Sequence, residues 1–387
     1  MINVDSVIRD TQSLIGIDSQ NPGPLEAECA NWVVERLTSA GLTPTRHEVE
    51  PGRDNIIATV VGSDREAPRL VILGHMDTVP VGEGWTYPPF GGVIDNGNLY
   101  GRGACDMKAG LALGIGLLDA LVQTGTQPRG DVVLVATVDE EAPGMLGAHQ
   151  LVADGFIRAT DQVLAPEPTG MRLRQRQMGL RWLTLTVTGR MAHAGRAHLG
   201  IDANHVLAQI VDQIKTVFGA LPFDDEILGR ARFTCGTLHG GVAPNVVPGS
   251  ATAEFDLRIV PPLVPEDAVT MVERVADAVM ARHPGAQYSI DLLGARRPPV
   301  GADGDSKIIQ GLQAAYVEHT GALAEIGGAD GHEAYTDASM IAALTGSTSC
   351  TVLGPGATDE AHTVDEFVPL ADIELGARLM WTLVQQW

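Results

Sequence analysis

Lysine is scarce in this 387-residue chain: of its 26 basic residues only Lys108, Lys215 and Lys307 are not arginine. Positive charge is scarce as well, because 48 acids oppose those 26 bases and leave a formal charge of -22. A field of that sign opposes phosphate backbones and anionic lipid, which excludes nucleic acid and membrane surfaces as expected partners. The arginines suit fixed recognition of carboxylates. Only four cysteines occur (Cys29, Cys105, Cys235, Cys350), far apart and with no CxxC pair. No disulfide framework is expected, and reduced thiols in a cytoplasm are. Long apolar runs are missing too: the most apolar helical stretch, from Leu111 to Leu121, is too short for a bilayer and carries Asp119. The opening MINVDSVIRD lacks a basic segment followed by an apolar run, so no secretory signal is expected.

What is present is a globular composition, 44% apolar and 19% charged. It excludes disorder for the bulk of the chain and suits one large domain or two ordinary ones. In the first half, short apolar runs at Asn55 to Val61, Leu70 to Leu73, Val132 to Val138 and Gln162 to Ala165 read as buried strands. Helical patterns run from Leu25 to Ala40, Met107 to Val122 and Met145 to Ala153. That alternation predicts an α/β fold, a mostly parallel sheet with helices on both faces. From Met178 the style changes. Trp182 to Thr188 alternates Leu and Val with Thr, and the order through Leu292 reads β-α-β-β-α-β, a ferredoxin-like split-βαβ layer. After Arg296-Arg297-Pro298-Pro299 the first style returns, with an apolar strand at Cys350 to Leu353. The expected organisation is a discontinuous α/β domain, 1–177 and 294–387, with an α+β domain at 178–293 inserted into it.

Ligands of open α/β sheets bind outside the carboxyl ends of the strands. Five such places carry polar side chains: Gly74-His75-Met76-Asp77, the loop Tyr100 to Asp106, Asp139-Glu140-Glu141, Pro166-Glu167-Pro168, and Gly354 through Ala361-His362-Thr363. Imidazoles and carboxylates without thiolates form a set suited to zinc, manganese or cobalt in a site with open positions. A carboxylate can bridge two metals, and Asp106, at a helix start among small residues, is the natural bridge. Asp77 follows His75 by two residues, on the same side of an extended strand, so its carboxylate is expected to accept the second ring N–H of His75. Glu140 and Glu141 point opposite ways in extended backbone. They cannot be equivalent ligands, and one is left for proton transfer.

At these points the sequence resembles the di-zinc amidohydrolases, the family of acetylornithine deacetylase, succinyl-diaminopimelate desuccinylase, aminoacylase and carboxypeptidase G. The resemblance is carried by HMDTVP at His75, YGRGACDMKAG at Tyr100, TVDEEAPGMLGA at Thr137, APEPT at Ala165 and GPGATDEAHTVDEFV at Gly354. It implies two divalent metal ions, zinc first with cobalt or manganese as substitutes. One would be held by His75, Asp106 and Glu167, the other by Asp106, Glu141 and His362. It also implies Glu140 as general base and Asp77 as the partner of His75. The insert GRMAHAG looks like the lid motif whose histidine, here His193, polarises the scissile carbonyl from the neighbouring subunit of a homodimer. The segments GGVAPNVVP and FDLR resemble those that supply Asn245 and Arg258 to a substrate carboxylate.

Rival chemistries lack their signatures. No GxSxG elbow, HExxH or GxxxxGK[ST] occurs, and Gly101-Arg102-Gly103 is followed by Asp106 where a dinucleotide loop needs its third glycine. The function implied is hydrolysis of a small N-acyl amino acid, with a carboxypeptidase G-like exopeptidase acting on dipeptides, or a non-catalytic binding module, as alternatives. The run Gly327 to Asp337 departs from the Ser-Asp-Gly-Arg of the desuccinylases, which puts a succinyl-diaminopimelate substrate in doubt.

Overall fold

A computed structural model describes residues 1–326 and 334–387. The chain divides into two compact units, one of Met1–Arg176 with Val300–Trp387 and the other of Gln177–Pro299.

In the first unit, six described strands form one sheet in the order 45–50, 53–60, 132–137, 70–75, 162–165, 350–352. The strands Leu70–His75 and Val132–Thr137 are buried at every position. Their unbroken apolar runs therefore suit the centre of a sheet covered on both faces. The strand at 70–75 lies parallel to those at 132–137 and 162–165, and Cys350–Val352 is parallel to Gln162–Ala165. The two strands at the other edge run antiparallel. Four carboxyl ends thus face the same way. Helix Ala109–Thr124 packs across the sheet, buried from Ala109 to Leu121.

Helix Val4–Ile15 and strand Thr45–Glu50 are among the elements that the sequence reading leaves out. Helix Val4–Ile15 starts at Asn3, whose side chain accepts the Ser6 N–H at 3.1 Å. Its buried stripe, Val7, Asp10, Thr11, Leu14 and Ile15, keeps the helical period, with polar Asp10 and Thr11 at its middle. Strand Thr45–Glu50 reads TRHEVE, an edge strand too polar to signal itself.

In the second unit, four antiparallel strands stand in the order 232–240, 250–259, 179–188, 287–297. Leu183, Leu185, Val187, Ala253, Phe255 and Leu257 form one core with residues of helices Ala203–Gly219 and Pro265–Met280. The alternating threonines Thr184, Thr186 and Thr188 take the opposite face, as the period of two requires. Asp202 caps the first helix by accepting the His205 N–H at 3.1 Å, and Pro265 opens the second. The unit ends later than the expected 293, because its last strand runs from Gln287 to Arg297. No described helix is long and apolar enough to cross a membrane.

Candidate metal centre

The parallel strands deliver their side chains to one edge. His75 ends its strand in register with Thr137, two residues before Asp139. Glu167 follows the strand 162–165 by two residues. Glycines allow the approach: a Cβ on Gly110 would lie 2.0 Å from the Pro166 carbonyl oxygen, and one on Gly354 would lie 2.3 Å from it. Any larger residue would push Glu167 away from the sheet edge.

Two overlapping trios result, His75–Asp106–Glu167 and Asp106–Glu141–His362, with ligand atoms within 4.8 Å of one another in each. Nε2 of His75 stands 3.0 Å from Asp106 Oδ1 and 3.7 Å from Glu167 Oε2. Nε2 of His362 stands 3.3 Å from Asp106 Oδ2 and 3.2 Å from Glu141 Oε2. Asp106 therefore turns one oxygen to each trio.

One expectation is corrected. The second ring nitrogen of His75 meets the backbone carbonyl of Asp77 at 2.9 Å, whereas the Asp77 carboxylate lies 3.6 Å away. The carboxylate instead accepts the backbone N–H groups of Glu140 and Glu141, each at 3.2 Å, and the Asn21 amide at 3.0 Å. Asn21 also donates to Asp139, which Arg53 holds at 2.9 Å while forking onto buried Glu26.

The electrostatics favour cations. Burial, reinforced by Glu167, Glu141 and Asp337, pushes Glu140 well above the usual carboxylate range against the pull of His75. Burial also raises Glu167, with Asp106 and Asp337 adding to it. Burial opposes ionisation of Asp106, yet hydrogen bonds from His362 and His75 hold it well below its ordinary value. Hydrogen bonds to Asp106 and Glu141 push His362 up to about 10. Two imidazoles thus face a surplus of crowded carboxylates, and Glu141 Oε1 is buried with no hydrogen-bond partner. An orphaned acceptor in an acid-rich pocket fits divalent cations, and the nitrogen and oxygen donors suit zinc, cobalt or manganese.

In the second unit, His193 and Asn245 share a ribbon: Ala192–His193 pairs with Val246–Val247, and the Ala194 N–H donates to the Asn245 carbonyl at 3.0 Å. Both residues are exposed. Nδ1 of His193 accepts the Gly195 N–H at 3.0 Å. Arg258 is not brought to them. It lies eight residues along the strand from Ser250, roughly 26 Å at the usual strand rise, and forks onto Asp256 at 2.8 and 3.0 Å.

Sequence reasoning missed several residues that hold this centre. Glu366 and Arg102 stand behind Asp106, and fully buried Lys108 donates to the carbonyls of Leu14 and Ile17 at 2.8 Å each. Asp337, buried at a helix start, adds its charge to Glu140 and Glu167. Within the segment 327–337, residues 327–333 lie outside the described residues, His332 among them.

Comparison with known proteins gives one reading. A profile described as Peptidase family M20/M25/M40 matches residues 71–386. A succinyl-diaminopimelate desuccinylase of Methylibium petroleiphilum is 31% identical, covering 91% of this chain and 90% of its own. One of Rhodospirillum centenum is 30% identical, with 94% and 93% covered. A tripeptidase from Staphylococcus aureus has the same fold with a TM-score of 0.81 at 23% identity, covering 100% of this chain and 99% of its own. A dinuclear metal binding peptidase from Bacillus subtilis aligns with a TM-score of 0.72 at 16% identity, covering 98% and 97%. At such identities the structural likenesses carry the fold alone. Fold, site and relatives define a metallohydrolase of amide or peptide bonds. The chain belongs to the peptidase family M20/M25/M40.

Proposed function

We propose that the chain removes the acyl group from a small N-acyl amino acid, as the name of its desuccinylase relatives suggests for them. The observation that carries this is the pair of trios sharing Asp106, with Glu140 beside them. His75, Asp106 and Glu167 would hold one cation, and Asp106, Glu141 and His362 the other. Bound divalent zinc would lower the pKa of a water from near 16 toward ~7 and polarise the substrate carbonyl.

The remaining steps belong to the chain. Glu140, beside both trios but a member of neither, takes a proton from the attacking water and returns it to the departing amine nitrogen. Asp77 sets the geometry by holding the amides of Glu140 and Glu141. His193 accepts at Nδ1, so the proton of its neutral ring sits on Nε2 and can be donated to the developing oxyanion. Asn245, in the same ribbon, and Arg258 are assigned to the substrate carboxylate from two different copies of the chain, because they lie far apart within one.

The second unit is assigned to lid and dimer roles. Its edge strands 232–240 and 287–297 expose Leu238 and Leu292, a surface suited to a second copy of the chain. Free thiols at all four cysteines support a cytoplasmic setting. The decisive experiment is a hydrolysis screen of N-acetyl, N-succinyl and N-formyl amino acids against C-terminal glutamate dipeptides, with zinc, cobalt or manganese supplied. Release confined to acyl groups supports the proposal, and turnover confined to the dipeptides replaces it with an exopeptidase.

A further inference from the structure

We propose, resting on the two-cation reading above, that Glu366 is a positioning residue for the second cation: a buried strap joining the His362 loop to Asp106.

The contacts are specific. The Glu366 side chain is fully buried, and Oε1 accepts two backbone N–H groups, those of Cys105 at 2.8 Å and Asp106 at 3.0 Å. Oε2 pairs with Arg102 at 2.5 Å, and the Arg102 guanidinium lies 5.2 Å from the centre of the Trp85 ring. The backbone joins in: the Glu366 carbonyl accepts the Gly101 N–H at 2.9 Å, and Phe367 pairs with Tyr100. Next to it, Asp365 accepts the Thr86 and Tyr87 amides at 2.8 and 3.1 Å. Charge-assisted bonds of this kind are about twice as strong as neutral ones and hold a turn firmly.

Both ends of the strap need it. Asp106 has φ -120 and ψ 97, outside helical geometry, so no helix hydrogen bonds fix its direction. His362 has φ +63 and a half-exposed side chain in a segment without strand support. The other trio differs, because His75 and Glu167 sit at or just past the ends of parallel strands. Loosening the strap should therefore weaken the Asp106–Glu141–His362 site while the His75–Asp106–Glu167 site keeps two of its three anchors.

The test is a Zn2+ titration of the metal-free, full-length protein against a competing chromophoric chelator. Glu366→Gln keeps the side-chain volume and one acceptor oxygen but loses the charge. The Asp106–Glu141–His362 site should weaken ~10–100-fold, the usual penalty for removing a residue that supports a metal ligand, and the His75–Asp106–Glu167 site, which shares Asp106, by clearly less. Arg102→Lys should act the same way more mildly, and it carries the test if Glu366→Gln does not fold. A core variant, Leu312→Ala, should lower Tm and leave the ratio of the two affinities alone. Equal affinities before and after substitution, or equal weakening of both sites, would overturn the strap. Fewer than two ions on the unaltered protein would instead overturn the two-cation reading, and that shows before any variant is made.

Discussion

Nδ1 of His75 is bonded to the backbone carbonyl of Asp77 at 2.9 Å, so the histidine is oriented by main chain and the Asp77 carboxylate is released for other work. That work is to hold the Glu140 and Glu141 amides, which places the base and a ligand from one buried group. Asp77→Asn replaces one accepting oxygen by a donor and must give up one of these bonds. Metal affinity should fall ~10–100-fold, with kcat falling too. The lost bond leaves a buried N–H without its acceptor, so the metal-free protein should also melt at a lower temperature. Calorimetric metal titration and a thermal melt check the two halves, and unaltered affinity would remove Asp77 from this role.

Glu140 has no place in either trio, so its carboxylate is left for proton transfer. Glu140→Gln should keep its full metal content while turnover drops ~10²–10⁴-fold, the contribution of a positioned general base. Elemental analysis beside a kinetic assay separates the two. Loss of metal in step with activity would make Glu140 a ligand.

The sequence exposes whatever obeys a local rule. The unbroken apolar runs at Leu70 and Val132 mark central strands, and the alternation from Leu183 to Thr188 marks a half-covered sheet. His75, Glu140, Glu141 and Glu167 are legible because they sit at or just past such strands, and His362 because it lies in the stretch after Cys350–Val352 that carries the family resemblance. Glu366 could not be found that way, since its partner Arg102 is 264 residues distant and nothing local distinguishes it from a surface acid. The one clue is its place four residues after His362, inside the stretch that carries the family resemblance. Asp77 shows the same limit: spacing places its Cβ on the face of His75 but does not decide whether carbonyl or carboxylate comes nearer to Nδ1.

Removing the cations should cost stability as well as activity. A ligand at a hundredfold excess over its Kd adds ~2.7 kcal/mol to the folded state, and here it also relieves crowded carboxylates. Dialysis against a chelator should abolish turnover and lower Tm, and zinc or cobalt should restore both. A Tm indifferent to chelation would mean that the trios hold no cation.

Arg36 lies between two acids, 2.9 Å from Asp10 and 2.7 Å from Asp119, with all three side chains mostly buried. Arg36→Ala strands two carboxylates, and the expected loss is ~3–5 kcal/mol, the range for breaking a buried pair. Adding Asp10→Asn and Asp119→Asn should recover a large part of it. Urea unfolding measures both steps, and a loss below about 1 kcal/mol would show the pair to be as weak as an exposed one.

His193 tests whether the site is completed by a second subunit. Its ring is exposed and anchored only through Nδ1, so His193→Ala should leave Tm and metal content alone. Turnover should fall ~10²–10³-fold, the cost of losing one oxyanion donor. Glu140→Gln is inactive for a different reason, and the two variants can be unfolded together and refolded as a mixture. If His193 acts across a two-fold dimer, each mixed dimer gains one site with both groups intact. Equal mixing should then restore about a quarter of the unaltered activity, half the dimers being mixed and half their sites repaired. A mixture as inactive as its parents would place His193 within its own subunit or outside the reaction.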